Sequence, residues 1–236
     1  MNARVILLDI EGTTTPIAFV HEVLFSYAHT HARDFLKTNF NSEEVRADVA
    51  LLRAEHAVDV GAGQGPPALN EDSDSIASYV EWLIERDRKS TGLKSLQGKI
   101  WRQGYVDGSL KSQVYADVAP ALERWRAQGL SINIFSSGSV LAQQLLFAHT
   151  EAGDLTKFID NYFDTNAGKK SEAESYRRIA EALSLKAKEV LFISDVVAEL
   201  AAASEAGMNT LLSIRPGNPP QNNTDRYRTI HTFNEI

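Results

Sequence analysis

The chain has 236 residues, 43% of them hydrophobic, and a formal net charge of −7. That is enough for one large domain or one domain carrying a smaller insert, and it disfavours a broad nucleic-acid or anionic-membrane surface. There is no cysteine, which removes disulfides, thiolate zinc sites and cysteine nucleophiles.

The first predicted element is a buried strand, Val5–Leu8, running straight into Asp9 and Glu11 before Gly12 and three threonines break it. With a strand at its start no signal peptide is expected, and the sequence lacks the run of ~18 apolar residues that a membrane span needs. A cytoplasmic protein is expected. From about 17 to 115 the pattern turns helical: Phe19 to Phe40, Ser42 to Val58, Asp74 to Asp87 and Leu93 to Asp107. The break "GAGQGPPALNEDSDS" (61 to 75) reads as a loop between helix pairs. Strands then alternate with helices. Ser131–Phe135, Val190–Ile193 and Thr210–Ile214 are unbroken apolar runs, as expected of a parallel sheet covered on both faces. Helices are expected over Val140 to His149, Ser171 to Leu183 and Val197 to Glu205, the last closed by Gly207. The prediction is α/β: a doubly wound Rossmann-like parallel sheet core from 1–16 and 116–236, interrupted by an inserted α-helical domain at 17–115.

In such a sheet, ligands bind beyond the carboxyl ends of the strands. The residues there are Asp9 and Glu11, Ser136 and Ser137, and Ser194 and Asp195, with the lysine pair Lys169 and Lys170 just before a helix. Alone, an acid at a strand end is usually a turn residue or a cap. Together the set suits a phosphate ester. Carboxylates from two strand ends can hold Mg²⁺, which offsets the repulsion between acidic site and anionic substrate. A carboxylate needs no base to act as a nucleophile, so Asp9 is the candidate to attack phosphorus and form an aspartyl-phosphate. Glu11, on the same face of an extended backbone, would protonate the leaving alcohol and later deprotonate water. Ser136, with Ser137 close behind, would cap the following helix and bind phosphate at its N-terminus. Glu199 either orients a cation-bound water or is a solvent-facing helix acid. Gly61, Gly63 and Gly65 miss dinucleotide spacing and follow no strand, and Gly168-Lys169-Lys170-Ser171 lacks the upstream glycine of an NTPase loop. His29 and His31 point to different faces of a helix.

The pattern Asp-x-acid-Gly-Thr, then Ser, then Lys, then Ser-Asp-x-x-x-Glu resembles the haloacid dehalogenase superfamily. The resemblance implies that Asp9 is nucleophile and metal ligand, and that Glu11 is general acid/base, ligating Mg²⁺ through its carbonyl. It also implies that Ser136 and Ser137 bind phosphate, that Lys170 is the catalytic lysine, that Asp195 is the second metal acid, and that the helical insert is a cap. Most superfamily phosphatases have Asp where Glu11 stands. Glu11 in "DIEGTTTPIAFV" is similar to the enolase-phosphatase (acireductone synthase) family of methionine salvage. So are "DRKSTGLKSLQGKIW" (87 to 101), "IFSSGSV" (134 to 140), "YFDTNAGKKSEAESYRRIA" (162 to 180) and "RPGN" (215 to 218). That likeness implies Mg²⁺-dependent enolisation and then dephosphorylation of 2,3-diketo-5-methylthiopentyl-1-phosphate. Partners would be that phosphorylated diketone alone, with no nucleic acid or membrane, and the chain is expected to be a monomer. Gln97, Gly98 and Trp101 either reach the methylthio end or pack within the helical block. The rival readings are another capped phosphatase and a catalytically silent binder of phosphorylated ligands.

Overall fold

The computed structural model describes residues 3–236 and divides into two compact units. One runs to Val20 and resumes from Lys111 to Ile236; the other is His21–Leu110. The divisions fall four or five residues from those expected at 17 and 115.

The first unit is built on six parallel strands in the order β3-β2-β1-β4-β5-β6. They are β1 (Val5–Leu8), β2 (Ser131–Phe135), β3 (Asn161–Phe163), β4 (Val190–Ser194), β5 (Asn209–Ser213) and β6 (Thr229–Ile230). β1 lies between β2 and β4 with Leu8 level with both Ile134 and Ile193, so their carboxyl ends form one edge. That is the doubly wound order, and the strand sequence reverses direction between β1 and β4. Val5 and Leu7 pack with Phe135, Tyr176, Phe192 and Leu200 on one side; Ile6 and Leu8, also buried, alternate to the other. A sheet buried on both faces explains the unbroken apolar runs. β3 and β6 escape sequence detection because edge strands of three and two residues carry no pattern.

The second unit holds four helices, α1 (Ser26–Asn39), α2 (Glu43–Gly61), α3 (Ser73–Glu85) and α4 (Thr91–Asp107). The stretch read as one helix from Phe19 is instead a wide π turn, Phe19–Phe25, leading into α1. Ser42, Asp72 and Ser90 cap the next three helices by accepting backbone N–H bonds, which fixes where each begins. The core joins Leu36, Leu52, Tyr79, Leu83, Leu96 and Ile100. Trp101 is buried here with its indole N–H donating to the Leu24 carbonyl at 2.8 Å, so packing accounts for it. No helix among the described residues is long and apolar enough to cross a membrane.

The remaining helices belong to the sheet unit: α5 (Val118–Ala127), α6 (Val140–Ala148), α7 (Ala173–Ala182) and α8 (Val197–Glu205).

Candidate active site

Asp9 follows β1 directly and is 4% exposed; its backbone N–H still reaches the Ile193 carbonyl of β4 at 3.0 Å. Its side chain is held from three directions. Lys170 Nζ and the Ile10 N–H donate to Oδ1, while the Ser194 hydroxyl lies 3.2 Å from Oδ2. Lys170 arrives on the loop before α7, where the Tyr176 hydroxyl pins its carbonyl at 2.8 Å. The same ammonium meets Glu199 Oε2 at 2.7 Å from the first turn of α8. Ser194 stands 2.9 Å from Glu199 Oε2 as well, so Asp9, Lys170, Glu199 and Ser194 close into a ring. Lys169, by contrast, is exposed and pairs with Glu172.

Asp195 is the next residue after β4 and is buried. The turn carrying Glu11 passes close over it. Gly12 has φ +67°, and a Cβ there would overlap the Asp195 carboxylate, so only glycine allows this approach. Three amides, of Thr13, Thr14 and Thr15, share the Ile10 carbonyl and hold the turn tight. Glu11 itself is exposed at the strand end and pairs as a short bridge with Thr15.

Electrostatics divide the cluster. Burial and then the negative charges of Asp9 and Glu199 push Asp195 up to about 7. Glu199 rises to about 7 as well, first by burial and then by Asp9. Burial alone would lower Lys170, but the charges of Asp9 and Glu199 outweigh it and hold the ammonium above its ordinary value. Three buried carboxylates thus share one cation. Among the described residues no three acidic or histidine side chains form a complete cage for a metal ion. Mg²⁺ needs none: it usually takes one or two carboxylates and fills the rest with water and substrate phosphate. Asp9 and Asp195, both buried and close enough for one charge to act on the other, are carboxylates of the kind such an ion takes.

Ser136 lies past β2, its N–H on the Phe163 carbonyl and its hydroxyl accepting from Gly138. The helix cap expected of Ser136 and Ser137 falls instead to Ser139, which accepts from Ala142 N–H. The helix begins at Val140 as expected, so Ser136 stays on the loop after β2, tied to β3 through Phe163, rather than at the helix terminus. Gln143, buried on α6, donates to both the Gly138 and Phe163 carbonyls and escapes a sequence reading because nothing in the sequence distinguishes it from its neighbour Gln144. Arg215 escapes it too. Its buried guanidinium binds the Thr13 carbonyl, Asp117 and the His231 carbonyl from beyond β5. Its one signal was the word "RPGN". Ser194 had a signal as well, since it stands immediately before an acid at a strand end.

Residues 3–207 match the model of the haloacid dehalogenase-like hydrolases. The chain is 55% identical over its full length to a protein of Synechococcus elongatus named enolase-phosphatase E1, covering 98% of it. It is 42% identical to the enolase-phosphatase E1 of Danio rerio, covering all of this chain and 95% of that one. Among solved structures, the UTR4 protein of Saccharomyces cerevisiae superposes with a TM-score of 0.81 at 34% identity, over 99% of this chain and 100% of that one. By these matches the chain belongs to the enolase-phosphatase E1 family, within the haloacid dehalogenase-like hydrolases.

Proposed function

We propose that the sheet unit performs Mg²⁺-dependent conversion of 2,3-diketo-5-methylthiopentyl-1-phosphate, by enolisation and then dephosphorylation, to the acireductone and phosphate. The observation that carries this reading is the ring of Asp9, Lys170, Glu199 and Ser194 at the strand-order reversal, with Asp195 beside it, so that three carboxylates face one ammonium and two negative charges stay unbalanced when all are ionised. Asp9 and Asp195 would hold the Mg²⁺, together with the Glu11 carbonyl. When bound, the ion neutralises the phosphate and polarises the carbonyl oxygens of the substrate.

The residues supply the rest. Lys170 keeps one Asp9 oxygen fixed and adds a positive charge against the phosphoryl oxygens. The carboxylate of Asp9 attacks phosphorus, the ester P–O bond breaks, and Glu11 gives its proton to the departing oxygen. Glu11 then takes a proton from water, which attacks the acyl phosphate, releasing phosphate and restoring the Asp9 carboxylate. Ser136 and Ser137 donate to the phosphate oxygens. Enolisation precedes these steps and shifts one proton from the carbon beside a carbonyl to oxygen, with no redox change. The 17–115 insert acting as cap, a monomeric state and a cytoplasmic setting belong to the same reading.

Anaerobic incubation with the diketo phosphate, followed by ultraviolet absorbance and by phosphate assay, tests it. An absorbing enol that appears before phosphate is expected. Phosphate without any enol would leave a simple phosphatase, and no Mg²⁺-dependent phosphate release even from an aryl phosphate would leave a binder.

A further inference from the structure

The turn Arg215-Pro216-Gly217-Asn218 leaves β5 at the active edge and takes no part in the steps above. Proline and a glycine at φ +87° occupy its centre, and Asn218 N–H returns to the Arg215 carbonyl at 3.1 Å. Arg215 fastens it to the Glu11 turn through the Thr13 carbonyl at 3.2 Å, and to Asp117 at 2.8 Å. Asn218 is thereby delivered to Gly12, where Nδ2 donates to the Gly12 carbonyl at 2.9 Å. That bond sets the orientation of the amide, since the flipped form would face oxygen with oxygen.

The other end of the amide is then the unusual one. Asn218 Oδ1 is buried and has no hydrogen-bond partner among the described residues. It lies on the same side of Gly12 as the Asp195 carboxylate: a Cβ on Gly12 would meet Oδ1 at 3.0 Å and Asp195 together. A buried acceptor without a donor is costly, and the neighbouring carboxylate has no proton to offer when ionised. A hydrated cation on Asp9 and Asp195 would bring donors, because its retained waters turn their hydrogens outward to surrounding acceptors. Both needs are met by one arrangement.

We propose that Asn218 is a positioning residue for the cation, with Oδ1 accepting from a cation-bound water while Nδ2 holds the Gly12 carbonyl. The inference rests on reading the site as a Mg²⁺ site. Its test is binding without turnover: the full chain is titrated with Mg²⁺ by calorimetry and with Mn²⁺ by electron paramagnetic resonance, substrate absent. Asn218→Leu and Asn218→Asp both lose the donor to Gly12, and only the second keeps an acceptor. Asn218→Leu should weaken cation binding by about tenfold or more, the usual effect of removing an outer partner. Asn218→Asp should bind at least as tightly as the unaltered chain. Equal losses in both variants would assign the effect to the Gly12 bond and overturn the proposal; so would unchanged affinity in Asn218→Leu. Should Asn218→Leu fail to fold, as judged by its melting curve, a tenfold loss in Asn218→Asp alone overturns it. An unaltered chain that binds neither cation sinks the reading of the site along with this inference.

Discussion

The two units bury acids in opposite ways. In the helical unit each buried carboxylate is fully matched. Asp59 accepts from the Tyr79 hydroxyl at 2.7 Å and from Arg88 at 2.6 Å, and Asp48 pairs with Lys99. Glu55 accepts the Ser90 hydroxyl and the Thr91 and Gly92 amides, so the N-terminus of α4 is filled from within. In the sheet unit, Asp9 and Glu199 pair with Lys170, and Asp195 beside them has no cation of its own among the described residues. Burial raises the cost of any charge in either place. Where partners balance it, as at Asp59, the carboxyl is held below its ordinary value in spite of burial. Where they do not, Asp195 and Glu199 are pushed up to about 7. A matched acid is a structural part, and the unmatched cluster is the charge that the proposed cation would neutralise.

Removing Asp9, the proposed nucleophile, should break that contrast most severely. Asp9→Asn should cost at least about 10³-fold in phosphate release, since no other carboxylate can form the acyl phosphate. Its unfolding midpoint in chelator should hold or rise, because one of three crowded negative charges is gone. Steady-state phosphate assays and thermal melts give both numbers, and near-normal turnover would remove Asp9 from its role. Next in size is Glu11→Ala, expected to cost about 10²-fold or more with an alkyl phosphate whose leaving group needs a proton. With p-nitrophenyl phosphate the loss should be smaller, as that phenolate departs unaided. Equal losses on the two substrates would take the proton from Glu11.

The matched acid answers to stability instead. Asp59→Ala leaves the buried Tyr79 hydroxyl and the half-exposed Arg88 without their acceptor. About 2 kcal/mol should be lost, the scale of one buried polar group left unpaired. Urea melts should show it as a lower midpoint at unchanged slope.

Much of this was readable from the residues, and the reason differs by element. β1, β2, β4 and β5 announce themselves because both faces are buried, and the acids that follow them stand out against apolar runs. Chain order alone could not show that Glu199 turns inward to Lys170, since a first-turn helix acid more often faces water. Asn218 and Arg215 lie some two hundred residues from the turn they hold, and no local period links them to it. Which serine caps the helix that begins at Val140, Ser139 rather than Ser136 or Ser137, was hidden among three side chains of equal capping power. Sequence pattern shows which residues a strand or helix must bury, whereas side-chain partnerships across the sheet edge depend on the assembled register.

The smallest effect is a difference of sign between the units, read from stability against pH in chelator. Asp195 and Glu199, ordinarily near 3.8 and 4.5, are raised to about 7 in the folded state. Between those values the folded chain holds protons that the unfolded chain has released, so stability should fall as pH rises from about 5 to about 7.5. Asp59 runs the other way. Its value is lowered by Tyr79 and Arg88 against the pull of burial, so its contribution is present above the ordinary carboxylate range and fades only in stronger acid. Mg²⁺ should restore stability more at pH 7.5 than at pH 5, because at pH 5 it must displace protons before it can bind. Asp195→Asn should flatten the chelator profile above pH 5, and Asp59→Ala should leave that slope untouched while lowering the whole curve. A slope that survives Asp195→Asn unchanged would place the crowded charge somewhere other than beside Gly12.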